Sequence, residues 1–375
     1  MTMDRLNTPK RIYAGPGCLS SLREAVDETG AKKICLLMDP FVRSSAKGEQ
    51  ILNALEGLSV TVLDDFRHEP TFASVRALLA LPGLPETELF IAVGGGTVMD
   101  TAKALTMLCT QPELMDALPD VSGLRSQLPP WFAVPTTAGT GAEATPNTIL
   151  LDEPKQLKVG IVSPRTIATC VFLDSELLAS LPRQLVIFTG LDALAHAVEA
   201  YTCKKRSPFL ELYAPKATQL IFENFSAACA GDLNARQAMQ LAAYYAGVCL
   251  TVGSTHAAHA AAYPLSGIFH VPHGETIAAL LPGTMHMSAV QCEDRLATLA
   301  YAIGEKPDAA SFLRRLDSLY AQEDVRFHLE ERYGVKPSDY PAMAAQAIGI
   351  RRLLDQCPVE ITEEGLVELY RSIPT

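Results

Sequence analysis

Short, uninterrupted apolar runs alternate with amphipathic helical segments between Lys33 and Val134 of this 375-residue chain. Apolar runs of this kind predict strands buried on both faces, as in parallel sheets covered by helices. The predicted strands are Lys33–Asp39, Ser59–Leu63, Glu88–Val93 and Trp131–Val134. The predicted helices between them are Ala46–Leu55, Ala73–Leu81 and Thr97–Cys109. The first part of the chain is therefore expected to be an α/β unit with a Rossmann-like parallel sheet.

The composition changes near Leu181-Pro182. Beyond this point strand-like runs become scarce, and long Ala/Leu-rich segments show helical periodicity. These segments are Leu185–Cys203, Leu210–Ala230, Ala235–Thr251 and Asp294–Ile303. A chain of this length usually exceeds a single hydrophobic core. We expect an α/β domain over residues 1–182 and an all-helical domain over residues 183–375.

Charge and cysteine usage narrow the function classes. The formal net charge of −11 argues against a nucleic-acid partner, because binding phosphates needs basic patches. The nine cysteines include no CxxC pair, which suits buried thiols in a reducing compartment. The first residues lack the apolar stretch of a signal peptide, and no window resembles a membrane span. We expect a cytoplasmic protein with no membrane partner.

Two glycine-containing loops follow predicted strands. Gly94-Gly95-Gly96-Thr97 joins a strand to a helix start, whose free N–H groups suit a pyrophosphate. Thr136, Thr137 and Thr140 follow the Trp131–Val134 strand, and their hydroxyls suit phosphate and ribose oxygens. A purely structural turn and a loop with local side-chain-to-backbone bonds remain the alternatives.

Asp39 closes the first predicted strand. A carboxylate there binds ribose hydroxyls and repels the extra phosphate of NADP, which favours NAD. In a standard Rossmann unit the acid follows the glycines, whereas here it precedes them, so the layout differs. The alternative is that Asp39-Pro40 only starts a turn.

Ionisable residues interrupt apolar helical segments in the second half. Asp192 and His196 lie four residues apart, which places them on one face of a helix. Either a ligated metal or a plain Asp–His hydrogen bond satisfies such a pair. Four further histidines fall within 18 residues, at His256, His259, His270 and His273. One carboxylate and several imidazoles suit Fe²⁺ or Zn²⁺ with a position left open for a substrate oxygen.

These motifs resemble the iron-containing, or group III, alcohol dehydrogenases over nearly the whole chain. GGGTVMD, PTTAGTGAE, DALAHAVEAY and the His259–Gly274 segment occur in the family's order and at its usual separations. The resemblance implies NAD(H)-dependent hydride transfer to a small aldehyde whose carbonyl is polarised by bound Fe²⁺, with Zn²⁺ as the alternative metal. It also implies a homo-oligomer, which we expect to be a dimer.

The resemblance assigns site residues by motif. The implied metal ligands are Asp192, His196, His259 and His273. The implied coenzyme-binding residues are Asp39, Gly94, Gly95, Gly96, Thr97, Asp100, Thr136, Thr137, Thr140 and Lys158.

The chain departs from the family pattern at two positions. Ala142 replaces the serine that is usual in the PTTAGTGSE loop. Tyr263 replaces a histidine that many members carry one turn after the third ligand, which is His259 here. The resulting YPLSG segment is similar to 4-hydroxybutyrate dehydrogenases, hydroxyacid–oxoacid transhydrogenases and phosphonoacetaldehyde reductases. It therefore predicts a substrate aldehyde with an acidic group.

Tyr263 and His270 are candidate catalytic residues that bind the substrate or relay its proton. Alternatively, Tyr263 packs against Pro264, and His256 and His270 are packing residues or support the ligands. Other readings of the whole chain are a glycerol dehydrogenase-like enzyme, a maleylacetate reductase-like enzyme and a degenerate nucleotide-binding scaffold.

Overall fold

The computed structural model describes residues 4–66, 69–124 and 127–374. Its contacts divide the chain into two compact units. The α/β unit comprises Asn7–Thr137 and Gly141–Leu181, and the helical unit comprises Ala138–Thr140, the chain from Pro182 onward and a short N-terminal piece ending at Leu6. The predicted fold class, a parallel-sheet α/β domain followed by a helical domain, is confirmed.

A six-stranded parallel sheet forms the centre of the α/β unit. The strands of this unit are β1 (Arg11–Ala14), β2 (Lys33–Met38), β3 (Ser59–Leu63), β4 (Leu89–Gly94), β5 (Trp131–Pro135), β6 (Asn147–Asp152), β7 (Leu157–Val162) and β8 (Cys170–Leu173). The order across the sheet is β1-β8-β5-β4-β2-β3, while β6 and β7 form a separate antiparallel hairpin.

The three strands β2, β4 and β5 are neighbours in the middle of this sheet. Every residue of β4 and β5 is buried, and so is all of β2 after its first residue, as their unbroken apolar runs predict. Because the strands are parallel, their carboxyl ends meet at one edge. Asp39, the glycine turn and Thr136 directly follow these ends.

Sequence patterns missed β1 and β8, the two strands on one side of the sheet. Strand β1 has an exposed, mixed-polarity sequence, and β8 has only four residues, so neither carries a clear periodic signal. The hairpin was missed as well, because its strands are only partly buried and lack a strict alternation.

Five helices belong to the α/β unit, and their ends follow common capping rules. They are α1 (Leu22–Thr29), α2 (Pro40–Arg43), α3 (Ala46–Ala54), α4 (Phe72–Leu79) and α5 (Gly96–Leu108). Thr71 and Ser74 form a capping box at the start of α4, and the hydroxyl of Ser45 accepts from Gly48 N at the start of α3. Helix α5 starts directly behind β4, at the glycine turn.

The helical unit contains the remaining helices. They are α6 (Arg183–Thr202), α7 (Pro208–Cys229), α8 (Leu233–Val252), α9 (Ala257–Phe269), α10 (His273–Ser288), α11 (Glu293–Ala302), α12 (Ala309–Gln322), α13 (Leu329–Tyr333), α14 (Tyr340–Ala347), α15 (Arg351–Leu354) and α16 (Glu363–Arg371). Helix α6 is buried on every side from Gly190 to Thr202. Of the helices that the described residues form, none has the length and hydrophobicity needed to cross a membrane.

Candidate active site

Three helices of the helical unit bring together the four predicted metal ligands. Asp192 and His196 lie one turn apart on α6, His259 lies in the first turn of α9, and His273 is the first residue of α10. One ligand atom from each of them lies within 4.8 Å of the other three. The first three side chains are almost fully buried, and that of His273 is 28% exposed.

The nitrogen atoms of this cluster surround one carboxylate oxygen. Asp192 Oδ1 lies 3.7 Å from His196 Nε2, 3.8 Å from His259 Nε2 and 3.6 Å from His273 Nε2. The Nε2 atoms of His196 and His259 are 2.9 Å apart. Ligands at 2.0–2.2 Å from a tetrahedral ion are roughly 3.4 Å from each other, so these separations are close to those of a metal site.

Asp192 Oδ1 is buried and has no hydrogen-bond partner among the described residues. Leaving a carboxylate oxygen in this state is costly, because burial removes the water that would solvate it. A divalent cation would compensate that cost, and one carboxylate with three imidazoles is a donor set that suits Fe²⁺ and Zn²⁺. The residues present therefore fit a metal ion.

Glu199 contacts a member of the metal-ligand cluster, a role that the sequence analysis did not predict. It lies on α6 one turn after His196 and is fully buried. Its Oε2 is 2.5 Å from His259 Nδ1, and its Oε1 accepts from the backbone N–H of Ala258 at 2.9 Å. A carboxylate that accepts from Nδ1–H leaves the His259 Nε2 lone pair free for a metal. The sequence signal for Glu199 was its spacing, because Asp192, His196 and Glu199 lie on one face of the helix.

His256 belongs to the same buried network rather than to the ligand set. Its Nε2 lies 3.0 Å from the hydroxyl of Thr202, and its Nδ1 lies 3.2 Å from Glu199 Oε1. Burial lowers the pKa of both His256 and His196 and raises the pKa of Glu199. The lowered pKa favours neutral His196, the form that binds metals.

The two candidate catalytic residues differ in their surroundings. Tyr263 is buried on α9, one turn beyond His259, and its hydroxyl oxygen accepts from Arg352 Nη2 at 3.3 Å. Burial raises the pKa of Tyr263 above its usual value, and the nearby guanidinium opposes this rise. His270 ends α9 in a left-handed conformation with φ 56° and is exposed. The metal-ligand cluster as described does not include His270.

Several of the predicted coenzyme residues, namely Asp39, the glycines and Thr136, lie at the carboxyl edge of the central sheet. The backbone N–H of Asp39 donates to Val93 O at 2.8 Å, and that of Thr136 donates to Gly94 O at 3.1 Å. These bonds bring the end of β2 and the end of β5 against the glycine turn. Asp39 also caps α2, because its Oδ1 accepts from Phe41 N at 2.9 Å. The turn-forming role of Asp39 is thus present, and the residue is partly exposed.

Gly94 and Gly95 serve different purposes. A Cβ on Gly94 would lie 2.4 Å from Val98 Cγ2, so a glycine is needed there for packing against α5. A Cβ on Gly95 would make an ordinary contact of 3.5 Å with Thr137 Cγ2. Gly95 is the N-cap of α5, and no described side chain caps that helix start. Its first N–H groups are therefore oriented to bind an anion.

Asp100 and Lys158, which are also predicted to bind the coenzyme, contact other residues of the α/β unit. Asp100 Oδ2 accepts from Ile149 N at 3.2 Å, and its Oδ1 is 3.7 Å from Lys103 Nζ. Lys158 Nζ donates to Glu69 at 2.6 Å. By its contacts Thr140 belongs to the helical unit, whereas Thr136 and Thr137 belong to the α/β unit.

Comparison with known proteins places these features in one family. The family model described as iron-containing alcohol dehydrogenase matches residues 9–175, and the model of the family's C-terminal part matches residues 186–373. Alcohol dehydrogenase 4 of Saccharomyces cerevisiae is 30% identical over 374 residues, covering 97% of this chain and 96% of the yeast protein. The metal-ligand candidates therefore lie in the segment that the C-terminal model covers.

Two solved structures have a similar fold over nearly the whole chain. The alcohol dehydrogenase from Oenococcus oeni superimposes with a TM-score of 0.92 at 29% identity, covering 99% of this chain and 100% of that one. The sulfoacetaldehyde reductase from Bifidobacterium kashiwanohense, solved in complex with NAD⁺, gives a TM-score of 0.87 at 25% identity and covers 100% of both chains.

Proposed function

The chain belongs to the iron-containing alcohol dehydrogenase family, and we propose that it transfers hydride between NAD(H) and a small aldehyde or alcohol that carries an acidic group. The α/β domain, residues 1–182, would bind the coenzyme. The helical domain, residues 183–375, would bind a divalent metal and the substrate. The cytoplasmic location and the dimer predicted from the sequence stay predictions.

One carboxylate and three imidazoles come together in the helical unit, and a buried oxygen of that carboxylate has no hydrogen-bond partner among the residues that the structure describes, which supports a metal-dependent enzyme. Asp192, His196, His259 and His273 would hold the ion, which we propose to be Fe²⁺, with Zn²⁺ as the alternative. When bound, such an ion supplies Lewis acidity toward a substrate carbonyl oxygen.

The chain's own residues prepare this chemistry. Glu199 fixes the ring of His259 with Nε2 directed toward the other ligands. The burial of Asp192 and His196 keeps water away from the polar atoms they present. Tyr263 keeps its proton at neutral pH because its pKa is raised, so its hydroxyl can donate a hydrogen bond to a substrate oxygen. His270, at an exposed helix end, is the candidate for proton exchange with solvent.

NAD(H) is the proposed coenzyme because of the groups at the carboxyl edge of the sheet. The uncapped start of α5 suits the pyrophosphate, and Thr136, Thr137 and the glycines lie beside it. Asp39 would accept from ribose hydroxyls and repel a 2′-phosphate. NAD⁺ bound to the sulfoacetaldehyde reductase supports this choice of coenzyme.

The acidic substrate rests on Tyr263 and on the same relative. Sulfoacetaldehyde carries a sulfonate beside its aldehyde, so a protein of this fold named for that substrate supports an acidic aldehyde here. A phenol in place of an imidazole offers a neutral hydrogen-bond donor to such a group.

NADH oxidation by Fe²⁺-reconstituted protein tests the proposal directly. Aldehydes should be offered in pairs that differ only in the acidic group, such as succinic semialdehyde with butanal. We expect a higher kcat/KM for the acidic member of each pair. Equal turnover of plain alkanals would exclude the acidic substrate class, and no turnover of any aldehyde would contradict the enzyme assignment.

Replacing Asp39 with Gly tests the coenzyme. Wild-type protein should prefer NADH over NADPH, and the variant should lose much of this preference because the carboxylate no longer repels the 2′-phosphate. The ratio of kcat/KM for the two coenzymes is the measurement. A wild-type protein that uses NADPH as well as NADH would refute the role of Asp39.

A further inference from the structure

The guanidinium of Arg352 lies beside the buried hydroxyl of Tyr263. Arg352 is the second residue of α15, is exposed, and donates from Nη2 to Tyr263 Oη at 3.3 Å. No carboxylate oxygen of the described residues pairs with Arg352 within 4.0 Å. Its neighbour Arg351 differs, because it forms an ion pair with Asp355 on the same short segment. The two adjacent arginines therefore differ in whether the protein itself supplies a counter-charge.

The helix face below Arg352 continues from the metal-ligand cluster. His259, Tyr263 and Ser266 are spaced by four and three residues on α9, so they share one face. Ser266 is 4% exposed, and its Oγ has no hydrogen-bond partner among the described residues. A buried hydroxyl without a partner is uncommon and points to a missing hydrogen-bonding group. The face thus presents a ligand candidate, then a phenol, then an unsatisfied hydroxyl.

The spacing and charge of this face define what it can bind. One helical turn separates His259 from Tyr263, a rise of about 6 Å along the axis. That distance fits a short chain of a few carbons between a carbonyl and a second polar group. A guanidinium binds planar or tetrahedral anions with several oxygens, such as carboxylates, phosphonates and sulfonates. Tyr263 Oη is already bonded to Arg352, so one anion can contact both groups.

We infer that Arg352, held by Tyr263, binds the acidic group of the substrate while the aldehyde end lies toward His259. This inference rests on the proposed function and adds the residue that recognises the acid. The bound anion would supply the counter-charge that Arg352 lacks, and Arg351 would have no part in recognition.

The test compares Arg352→Gln with the matched control Arg351→Gln in Fe²⁺-reconstituted protein. The measured quantity is the ratio of kcat/KM for succinic semialdehyde to kcat/KM for butanal. We expect Arg352→Gln to lower this ratio by about 10- to 100-fold, the effect of losing a hydrogen bond to a charged group, and mainly through KM. Arg351→Gln should leave it within about twofold, as for other exposed pairs. Tyr263→Phe should lower the ratio by about 5- to 100-fold.

A second measurement does not depend on turnover. Calorimetric titration of the metal-free protein with ethylphosphonate should give an affinity that Arg352→Gln weakens by about tenfold or more and Arg351→Gln leaves unchanged. A wild-type protein without preference for the acidic aldehyde would contradict the proposed function. A preserved preference and an unchanged ethylphosphonate affinity in Arg352→Gln would overturn this inference and leave the proposed function standing.

Discussion

Each unit of the molecule buries a cluster of ionisable groups, and the two clusters solve the cost of burial differently. In the α/β unit, Lys103 is fully buried and donates to Thr145 Oγ1 at 3.1 Å and to the carbonyl oxygen of Asn147 at 2.6 Å. Asp100 and Glu143 complete this network with negative charge. In the helical unit, Oδ1 of Asp192 lies among three histidine nitrogens and has no hydrogen-bond partner within the described part of the chain.

The two clusters differ in whether the buried charge has partners within the protein, and this separates a structural network from a site that can bind a ligand. Lys103 finds acceptor oxygens and negative charge within the protein, so its own charge is balanced without an added ion. The Asp192 cluster instead directs lone pairs from four groups to one region, which is unfavourable unless a cation binds there. Substitutions in the first cluster should therefore change stability, whereas substitutions in the second should change metal binding.

The largest effect is expected for His273→Ala. Removal of one of four ligands should abolish turnover and lower bound metal well below one ion per chain. The fold should survive, because His273 is partly exposed and contributes little to the core. Elemental analysis and NADH oxidation measure both quantities.

His286→Ala is the matched control on the same helix. His286 is half exposed and pairs with Asp317, so this variant should keep its metal and its activity. Full metal occupancy with retained turnover in His273→Ala would break the comparison.

Lys103→Met should have the next largest effect, on stability alone. It leaves buried Glu143 and partly buried Asp100 without their positive partner, and breaking a buried ion pair costs about 3–5 kcal/mol. The melting temperature should fall, and the metal content of the folded protein should stay at the wild-type level. The control Lys155→Met removes an exposed lysine that pairs with Asp152 and should leave the melting temperature nearly unchanged. Loss of metal without loss of stability in Lys103→Met would contradict the assignment of stability to the Lys103 network and of metal binding to the Asp192 cluster.

Glu199→Gln should weaken metal binding by about 10- to 100-fold, as expected when the group that orients a ligand is lost. The two carboxylate oxygens accept separately from Ala258 and His259, and an amide replaces one of them with an NH₂ group that cannot accept. Competition with a chelator of known affinity measures the dissociation constant. The control is Glu211→Gln on α7, a residue that contacts Tyr201 and Arg295. An unchanged affinity in Glu199→Gln would show that Glu199 does not orient His259.

Glu143→Gln should produce the smallest effect, visible as a pH dependence. Burial raises the pKa of Glu143 from 4.5 to about 7, since the ionised form loses solvation. Its contribution to folding stability is therefore full below pH 4.5 and declines as the pH rises toward 7. The variant should gain stability relative to wild type across this interval. Urea unfolding at several pH values measures the difference, and a pH-independent difference would contradict the raised pKa.

The sequence predicted the parts of the fold and site that have a local signal. The buried central strands and the long helices follow from unbroken apolar runs and from helical periodicity. Asp192 and His196 are separated by one helical turn, so their pairing was visible as well. The short edge strand β1 carries no such periodicity and was missed.

Other parts of the site depend on long-range packing. His196 and His259 are 63 residues apart in sequence, and only the family resemblance joined them. The contact of Arg352 with Tyr263 spans 89 residues and involves a four-residue helix, so nothing in the local pattern predicted it. Glu199 lies between these cases, because its helical face was predictable but its partner on α9 was not.

We propose that four residues of the helical unit bind one divalent metal ion. Anaerobic calorimetric titration of metal-free protein with Fe²⁺ tests this binding, with Asp192→Asn as the variant that removes the charge but keeps the shape. We expect saturation at about one ion per chain in wild type and a large loss of affinity in Asp192→Asn, because an amide is a much weaker ligand than a carboxylate. Equal stoichiometry and affinity in the two proteins, or no saturable binding in wild type, would contradict it.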